Sequence, residues 1–272
     1  LLIFSPLGVR AGGADRWLSL GPLTFQPSEF MKISFLLYIS AWLSGDKARS
    51  SHATKGLIPF IALLGTLGII LLKQSSTSTF ALLVATACVI YFVSGAKLRH
   101  ISAIVLIGLS ALLTISYFSP YRWQRIITFL NPGQNQETSS YHINQALIAI
   151  GSGGATGVGL GESTGKLNNL PEPIGDSIFA IIAEELGFIG VLLITSIIVF
   201  LSLRILWLSK KINHRFGQLL LIGFGTMLAI QSFVNIGAIS GLLPLTGMPL
   251  PFISYGGTTL AAYMTMIGLV AN

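Results

Sequence analysis

The sequence predicts an all-α protein that crosses a membrane several times as a helix bundle. Three observations predict this class: few charged residues, long apolar segments, and no strict alternation of apolar and polar residues within them. Of the 272 residues, 52% are hydrophobic and 9% are charged, and the mean hydropathy is +0.77. Soluble domains carry about 25% charged residues. Most of the surface of this protein must therefore face lipid.

Seven apolar segments are long enough to be transmembrane helices. In chain order they cover about residues 30–44, 56–72, 79–96, 101–118, 176–206, 217–240 and 253–271. Backbone groups must find partners inside lipid, so only helices or closed barrels can span it. None of the seven segments alternates as barrel strands do. We therefore expect a polytopic helix bundle that forms a single membrane domain over residues 1–272.

The basic residues predict how this bundle is oriented, because Lys and Arg concentrate in cytoplasmic loops. Three groups of them fall in every second loop: Lys47, Arg49 and Lys55 in the first, Lys97 and Arg99 in the next, and Lys210, Lys211 and Arg215 in the last. We place these three loops in the cytoplasm and the long segment 119–175 outside it. Since the net charge of +7 is spread over short loops, we expect no nucleic acid partner.

Two further features limit the possible classes. The single cysteine, Cys88, lies in an apolar run, which excludes a disulfide framework and a cysteine metal site. The chain starts without a methionine or a signal-like segment, and we expect further helices of the protein to precede it.

The segment 119–175 is far longer than a connection between two helices requires, which is typical of a functional loop. Its run "INQALIAI" is amphipathic and could lie at the membrane interface. The glycines of "GSGGATGVGLG" do not form a Walker phosphate loop, because Leu160 and Leu167 occupy two of its fixed positions. Glu162 likewise replaces the third glycine of a dinucleotide motif. We interpret these glycines as turns and close-packing sites, with backbone donors to a ligand phosphate as the alternative.

Four stretches together carry a resemblance to a known family. They are "GADRWLSLGPLTFQPSEFMKI", the "NPG" region after the fourth span, "IAIGSGGATGVGLGESTGKLNNLPEPIGDSIFAIIAEELGFIG" and "GLLPLTGMPLPFISYGG". From about residue 8 to its end the chain resembles the shape, elongation, division and sporulation (SEDS) family, which includes FtsW, RodA and SpoVE. The resemblance implies a polytopic peptidoglycan glycosyltransferase of which this chain would hold the last seven helices. The form "GLGESTGK" before "LPE" is more similar to the FtsW branch, which implies septal wall synthesis in cell division.

The resemblance also implies a substrate and partners. Such an enzyme polymerises lipid II, an undecaprenyl-diphosphate-linked disaccharide peptide, at the outer face of the cytoplasmic membrane. It works beside a class B penicillin-binding protein and other divisome proteins. The essential acid of the family matches Asp176 in "LPEPIGDSIFA", although Gly175 replaces the usual threonine. Two departures are serines at 75 and 76 in place of a proline and an aspartate, and His142 in place of a glutamine.

The candidate substrate-binding residues are drawn from the family motifs and from the predicted outer segments. They are Arg16, Trp17, Gln26, Glu29, Lys32, Gln145, Ser163, Lys166 and Glu172. Trp17 matches a motif tryptophan of the family, with membrane-interface anchoring as the alternative. Glu29 and Lys32 match its paired charges; one helical turn apart, they could pair with each other or line the catalytic cavity.

The chemistry of glycan extension gives Asp176 a role independently of the family. The acceptor hydroxyl must lose a proton as it attacks, and a carboxylate at the membrane surface can accept it. The departing diphosphate needs positive charge, which could come from basic residues outside the cytoplasm: Arg16, Arg122, Arg125 and Lys166. The alternative is a divalent cation, Mg²⁺ or Mn²⁺, held by Asp176 and Glu172, although no tight metal-ligand spacing supports it. The alternative for Asp176 itself is a helix cap.

Helical periodicity places small residues beneath Asp176. On one continuous helix, Ala180, Ala183, Gly187 and Gly190 share its face, and such a face can pack closely against another helix. Glu184 and Glu185 would lie deeper, where an ionised carboxylate costs about 3 kcal/mol. They must therefore be paired or protonated, either in hydrogen bonds that hold the bundle together or in the substrate cavity.

The last apolar segment has an irregular start. Pro249 and Pro251 prevent a regular helix there, which predicts a broken or re-entrant beginning that could form a cavity wall.

Two rival functions remain. One is a lipid II transporter, which needs a polar path through both leaflets. The other is a non-enzymatic division scaffold, which would not need Asp176.

Overall fold

The computed structural model describes residues 8–11, 14–20, 23–45, 49–130, 139–165 and 170–271. Its helices are, in chain order, α1 (Pro27–Ser44), α2 (Ile58–Lys73), α3 (Thr77–Val93), α4 (Leu98–Tyr117), α5 (Pro120–Leu130), α6 (Ser139–Ser152), α7 (Ile178–Ser209), α8 (Arg215–Ile239) and α9 (Gly257–Ala271). A short 3-10 turn (Arg49–Ser51) and a π-helical turn (Ala53–Leu57) lead into α2.

The predicted helix bundle is confirmed, since each of the seven apolar segments contains a helix: α1 to α4 and α7 to α9. Within the described residues, four helices are long and apolar enough to cross a membrane: Ala53–Lys73, Leu98–Tyr117, Ile178–Ser209 and Arg215–Ile239. Helices α3 and α9 are apolar but shorter. The predicted boundaries differ from those observed by a few residues, because hydropathy registers apolar composition and not the backbone groups that end a helix.

A small β-sheet precedes the helices, which the all-α prediction did not include. Strands β1 (Gly8–Ala11), β2 (Ala14–Leu20) and β3 (Leu23–Phe25) form an antiparallel sheet in the order β1-β2-β3. Leu18 pairs with Gly8 on one side and Phe25 on the other, and its side chain is buried. Open sheet edges need water as a hydrogen-bond partner. The sheet therefore belongs outside the hydrocarbon region.

The chain forms two compact units. The first contains residues 1–108, 202–228 and 257–272. The aromatic rings of Phe60 and Tyr91 stack inside it with centroids 4.4 Å apart. The Ser94 carbonyl accepts hydrogen bonds from Ser50 Oγ (2.9 Å) and from Arg215 Nη2 (2.7 Å). These bonds join the three basic loops, as expected of loops on one side of a membrane.

The second unit contains residues 109–201 and 229–256. Its core is formed by buried residues of α6, of the start of α7, of the end of α8 and of two connecting segments: Ile143, Ala146, Ala149, Leu170, Phe179, Ala180, Ile181, Ile239 and Leu245. The amphipathic run 143–150 therefore packs one face into this core, while Leu147 and Ile148 on its other face are exposed. Its position at the membrane interface stays a prediction.

Helix α7 is interrupted at Gly187, whose φ of 65° and ψ of −166° are not helical. We call residues 178–186 the half-helix and residues 188–209 the main helix. The predicted single face from Asp176 to Gly190 is therefore wrong, because Asp176 precedes the helix and Gly187 breaks it. At about 1.5 Å per residue the main helix is roughly 33 Å long. It can span the hydrocarbon core, about 30 Å thick, without the half-helix.

Candidate functional site

Asp176 lies in a turn directly before the half-helix, and its side chain is half-buried. The first helical residue is Ile178, and the Ala180 amide donates to the Ser177 carbonyl at 2.9 Å. Ser177 therefore occupies the cap position, and the interpretation of Asp176 as the cap is displaced by one residue.

The turn that carries Asp176 is closed by its own hydrogen bonds. The Glu172 carbonyl accepts from the amides of Gly175 (3.1 Å) and Ser177 (3.3 Å). Ser177 Oγ donates to the Pro171 carbonyl at 2.9 Å. Glu172 has a positive φ of 49°, and its side chain is exposed. The turn thus holds Asp176 in a defined position and leaves Glu172 on the surface.

Asn235 of α8 connects this turn to the segment before α9. Its Nδ2 donates to the backbone carbonyl of Asp176 at 3.0 Å and to that of Met248 at 2.6 Å. The side chain is 2% exposed. One buried amide therefore bridges two segments that have left regular secondary structure.

The segment 245–250 has no regular structure, and α9 begins only at Gly257. The broken start predicted from Pro249 and Pro251 is confirmed. Side chains replace the missing helical hydrogen bonds: Arg125 Nη1 donates to the Leu245 carbonyl (3.1 Å) and Gln231 Nε2 to the Pro249 carbonyl (2.9 Å). Irregular backbone is tolerated at membrane depth only when its polar groups are satisfied in this way.

Gly247 brings the same segment close to the Asp176 carboxylate. Its φ is 65°, a conformation that glycine adopts most readily. A Cβ at this position would lie 3.2 Å from Asp176 Oδ2. The carboxylate therefore lies against the bare backbone of Gly247, and any side chain there would crowd it.

His142 of α6 contacts the residue next to Asp176. Its Nε2 lies 2.6 Å from Ser177 Oγ. The hydroxyl hydrogen of Ser177 is donated to the Pro171 carbonyl. The hydrogen in the bond between His142 and Ser177 is therefore assigned to His142 Nε2. Burial lowers the pKa of His142, and the nearby charge of Arg125 lowers it further. The imidazole is therefore held neutral, as a donor that supports the turn; the sequence singled it out only as a departure from the family.

Glu184, near the end of the half-helix, is 3% exposed. Its carboxylate accepts hydrogen bonds from Ser163 Oγ (2.5 Å), the Thr164 amide (3.1 Å), Thr164 Oγ1 (3.2 Å) and the Gly165 amide (3.5 Å). The prediction that this carboxylate needs partners is confirmed, and those partners lie in the segment after the glycines. Ser163, predicted to bind substrate, is 1% exposed and helps to hold this segment in place.

The glycine-rich segment 153–159 pairs with the break in α7. The amides of Val158 and Gly159 donate to the carbonyls of Glu184 (2.9 Å) and Glu185 (3.1 Å). In return, the amides of residues 188 and 189 donate to the carbonyls of residues 154 and 155 at 3.0 and 3.2 Å. A Cβ on Gly153 or Gly157 would overlap a carbonyl of the half-helix. The interpretation of these glycines as close-packing sites is confirmed.

The predicted pair of Glu29 and Lys32 is also confirmed. The two side chains are buried in the first unit, and Lys32 Nζ lies 2.7 Å from Glu29 Oε2. The same ammonium group lies 5.4 Å from the centroid of the Tyr263 ring, within range of a cation–π interaction.

The remaining predicted substrate-binding residues are spread over several elements. Trp17 is half-buried in β2 opposite Val9, and Gln26 is half-buried directly before α1. Gln145 is half-buried in α6. Lys166 and the side chains of Arg16 and Arg122 lie outside the described residues.

The predicted divalent cation finds no cluster of ligands in the part of the chain that the structure describes. There, no three His, Cys, Asp or Glu side chains lie together in a way that could hold a metal ion. Asp176 and Glu172 are two residues of one turn, but the Glu172 side chain is exposed.

Comparison with known proteins identifies the family. The model of the FtsW, RodA and SpoVE family, described as a cell cycle protein, matches residues 1–272. The chain belongs to this family. It is 39% identical over 273 residues to the probable peptidoglycan glycosyltransferase FtsW of Idiomarina loihiensis, covering 99% of this chain and 67% of the relative. It is 36% identical over 275 residues to the stage V sporulation protein E of Bacillus subtilis, covering 100% of this chain and 74% of the relative.

A solved structure is similar to the whole of this FtsW/RodA/SpoVE-family chain. It is described as showing the coordination of polymerization and crosslinking by a peptidoglycan synthase complex, with a TM-score of 0.81 and 29% identity over 99% of this chain and 75% of that one. This chain thus spans two thirds to three quarters of the length of these proteins. The comparisons confirm the predicted family, the class of peptidoglycan glycosyltransferase and the multi-pass helical membrane fold.

Proposed function

We propose that this FtsW/RodA/SpoVE-family protein polymerises lipid II into glycan strands at the outer face of the cytoplasmic membrane, with Asp176 as the catalytic carboxylate. The observation that carries the proposal is the position of Asp176. It lies in a closed turn at the start of the half-helix, where Asn235 donates to its backbone carbonyl and the backbone of Gly247 lies close to its carboxylate. A carboxylate held in a defined position can act as a general base.

The proposed reaction transfers one sugar to another. The oxygen of the acceptor hydroxyl attacks the anomeric carbon of the donor, and its proton passes to a carboxylate oxygen of Asp176. The bond between the anomeric carbon and the diphosphate oxygen breaks, and its electron pair leaves with the lipid diphosphate. A positioned general base contributes about 10²- to 10⁴-fold to such a rate.

Charge stabilisation of the leaving diphosphate is proposed for Arg125, which donates to a carbonyl of the segment that contains Gly247. Cations placed where charge develops stabilise a transition state. A divalent cation at Asp176 stays a prediction, and the proton transfer to Asp176 does not depend on it.

The proposed setting is septal wall synthesis beside a class B penicillin-binding protein, with other divisome proteins. Two observations support it. The relative from Idiomarina loihiensis carries the FtsW name, and the similar solved structure is described as a complex that coordinates polymerization with crosslinking. A polymerase acting on lipid-linked units needs such a partner to convert its strands into a crosslinked wall.

Replacement of Asp176 by asparagine tests the catalytic assignment. Asp176→Asn keeps the size of the side chain and leaves the bond from Asn235 intact, since that bond reaches the backbone of residue 176. The change removes the proton acceptor, so glycan formation from labelled lipid II should fall about a hundredfold or more. Activity is measured at matched protein levels in membranes.

The matched control is Glu162→Gln, which changes an exposed carboxylate of the same predicted outer segment and should retain activity. Binding of the penicillin-binding protein partner reports correct folding of both variants. Near wild-type polymerisation by an Asp176→Asn variant that binds its partner would show that the assignment is wrong.

A further inference from the structure

We propose that Asn235 is a positioning residue for Asp176: its amide holds the Asp176 turn against the segment 245–250 and so determines where the carboxylate lies. The proposal rests on the proposed function, because it assumes that Asp176 is the catalytic group. Its basis is a pair of hydrogen bonds from one buried side chain to two backbone carbonyls.

The geometry of the Asn235 amide leaves one possible orientation. An asparagine Nδ2 has two hydrogens, and here they point to the carbonyls of Asp176 (3.0 Å) and Met248 (2.6 Å). Turned by 180°, the amide would place its oxygen against two carbonyl oxygens, which repel it. Since the side chain is 2% exposed, water cannot readily replace either bond. The bridge is therefore a fixed part of the structure.

The segment on the other side of the bridge is itself held in place. Gln231, one helical turn before Asn235, donates to the Pro249 carbonyl at 2.9 Å. The Leu250 amide donates to Ser254 Oγ at 2.7 Å. Asn235 differs from these groups because its amide also reaches the turn that carries Asp176.

The consequence concerns the distance between the Asp176 carboxylate and Gly247. The carboxylate lies close to the backbone of Gly247, since a Cβ added to this glycine would be only 3.2 Å from Asp176 Oδ2. The Tyr255 amide also donates to the Ile174 carbonyl of this turn at 2.8 Å, but Tyr255 lies beyond the segment 245–250. Loss of the Asn235 bridge therefore still allows that segment to move relative to Asp176. A displacement of about 1 Å in a reacting group can lower a rate about a hundredfold. Asn235 would then act on the rate of reaction without touching the substrate.

The experiment uses Asn235→Asp in the full-length protein, with polymerisation of labelled lipid II as the readout. The substitution preserves the shape of the side chain, but the introduced carboxyl group donates one hydrogen bond at most when it is protonated and none when it is ionised. We expect kcat at pH 7.5 to fall at least about tenfold, while KM for lipid II stays within about twofold. Lowering the pH protonates the introduced carboxyl group, which can then donate one bond, so part of the lost kcat should return relative to wild type.

Two further variants separate the bridge from general packing. Gln231→Glu makes the same chemical change one turn away and removes the bond to Pro249 but not the bond to Asp176, so its effect on kcat should be clearly smaller. Phe233→Leu changes an exposed side chain of the same helix and should leave kcat unchanged.

Melting temperatures in detergent identify variants that do not fold. If Asn235→Asp does not fold, Asn235→Gln, which keeps a donor but displaces it by one methylene, takes its place with the same expected loss of kcat.

The outcomes distinguish this proposal from the proposed function. A folded Asn235 variant with kcat within twofold of wild type, beside an inactive Asp176→Asn, overturns the positioning role and leaves the function standing. An equal loss of kcat in Gln231→Glu also overturns the positioning role, because the conformation of the segment 245–250, and not its bridge to Asp176, would then determine kcat. An active Asp176→Asn contradicts the proposed function itself.

Discussion

At the scale of single residues, buried polar side chains in this protein bind backbone groups that lie outside regular secondary structure. Asn235 and Gln231 donate to carbonyls before α9, and Glu184 accepts from amides after the glycine-rich segment. Such backbone would otherwise be costly within or near lipid. These residues therefore determine the conformation of the segments around Asp176.

Glu184→Gln tests this role for a carboxylate. A glutamine of the same size can still accept bonds through its oxygen, but it loses the charge and places an amide nitrogen against a donor. The free energy of unfolding should fall by roughly 1–3 kcal/mol, seen as a melting temperature lower by several degrees in detergent. The exposed Glu162 provides the control, since Glu162→Gln should change stability by less than about 0.5 kcal/mol. Equal melting temperatures for the two variants would contradict the role of Glu184.

The sequence predicted some of these residues and not others, for physical reasons. A carboxylate in an apolar run must have a partner, so Glu184 was identified, although its partners were not. Asn235 and Gln231 attracted no prediction, because a neutral amide in an apolar helix costs less than a charge. A signal was present in "AIQSFVNIG": two amides one turn apart in an otherwise apolar helix. Their partners lie in a segment that only the folded chain brings near.

At the scale of elements, the helices followed from apolar length, whereas the interruption of α7 did not. Residues 178–209 are apolar on average, with a mean hydropathy of 2.7 over an 18-residue window, and a glycine within such a run is common in membrane helices. The break at Gly187 depends on hydrogen bonds from the glycine-rich segment, which lies outside the helix. Local sequence could not reveal the break, because the backbone groups beside Gly187 find their hydrogen-bond partners in the glycine-rich segment, and the groups of that segment find theirs beside Gly187.

The fit between these two elements predicts different effects for two nearby glycines. Gly153→Ala would place a methyl group onto the Ala183 carbonyl, and should reduce the free energy of unfolding by about 1–3 kcal/mol. Gly151→Ala, two residues earlier in α6, meets no atom within 4 Å and should be neutral or slightly stabilising. Thermal unfolding in detergent compares them. A Gly151→Ala variant as unstable as Gly153→Ala would contradict the close packing of Gly153 against the half-helix.

At the scale of the whole molecule, charge and hydropathy predicted the class of protein, whereas the surroundings of Asp176 became visible only in the folded chain. The three basic loops expected in the cytoplasm are joined by hydrogen bonds at Ser94. The composition also predicted a membrane protein correctly. The position of Asp176 relative to Gly247 and Asn235 could not be predicted, since it depends on contacts between distant parts of the chain.

Orientation in the membrane can be tested with single cysteines in a Cys88→Ala background. The exposed positions Lys97 and Lys210 should react with a membrane-impermeant thiol reagent only after cells are opened, and Glu162 in intact cells, because Lys and Arg mark the cytoplasmic side. Labelling of 97 and 210 but not of 162 in intact cells would reverse the orientation and remove the basis for chemistry at the outer face.

The hydrogen bonds between the glycine-rich segment and the interrupted helix also determine how fast this region exchanges with water. Glycine-rich loops normally exchange their amide hydrogens for deuterium quickly, because their backbone opens readily. Here the amides of Val158 and Gly159 are bonded to carbonyls of the half-helix, so exchange requires the two elements to separate first. Separating the two elements costs the free energy of opening a cooperative unit, which is larger than the free energy of fraying a loop. We therefore expect the amides of Val158 and Gly159, in the most glycine-rich part of the chain, to be among the slowest to exchange of the described residues between α4 and α7.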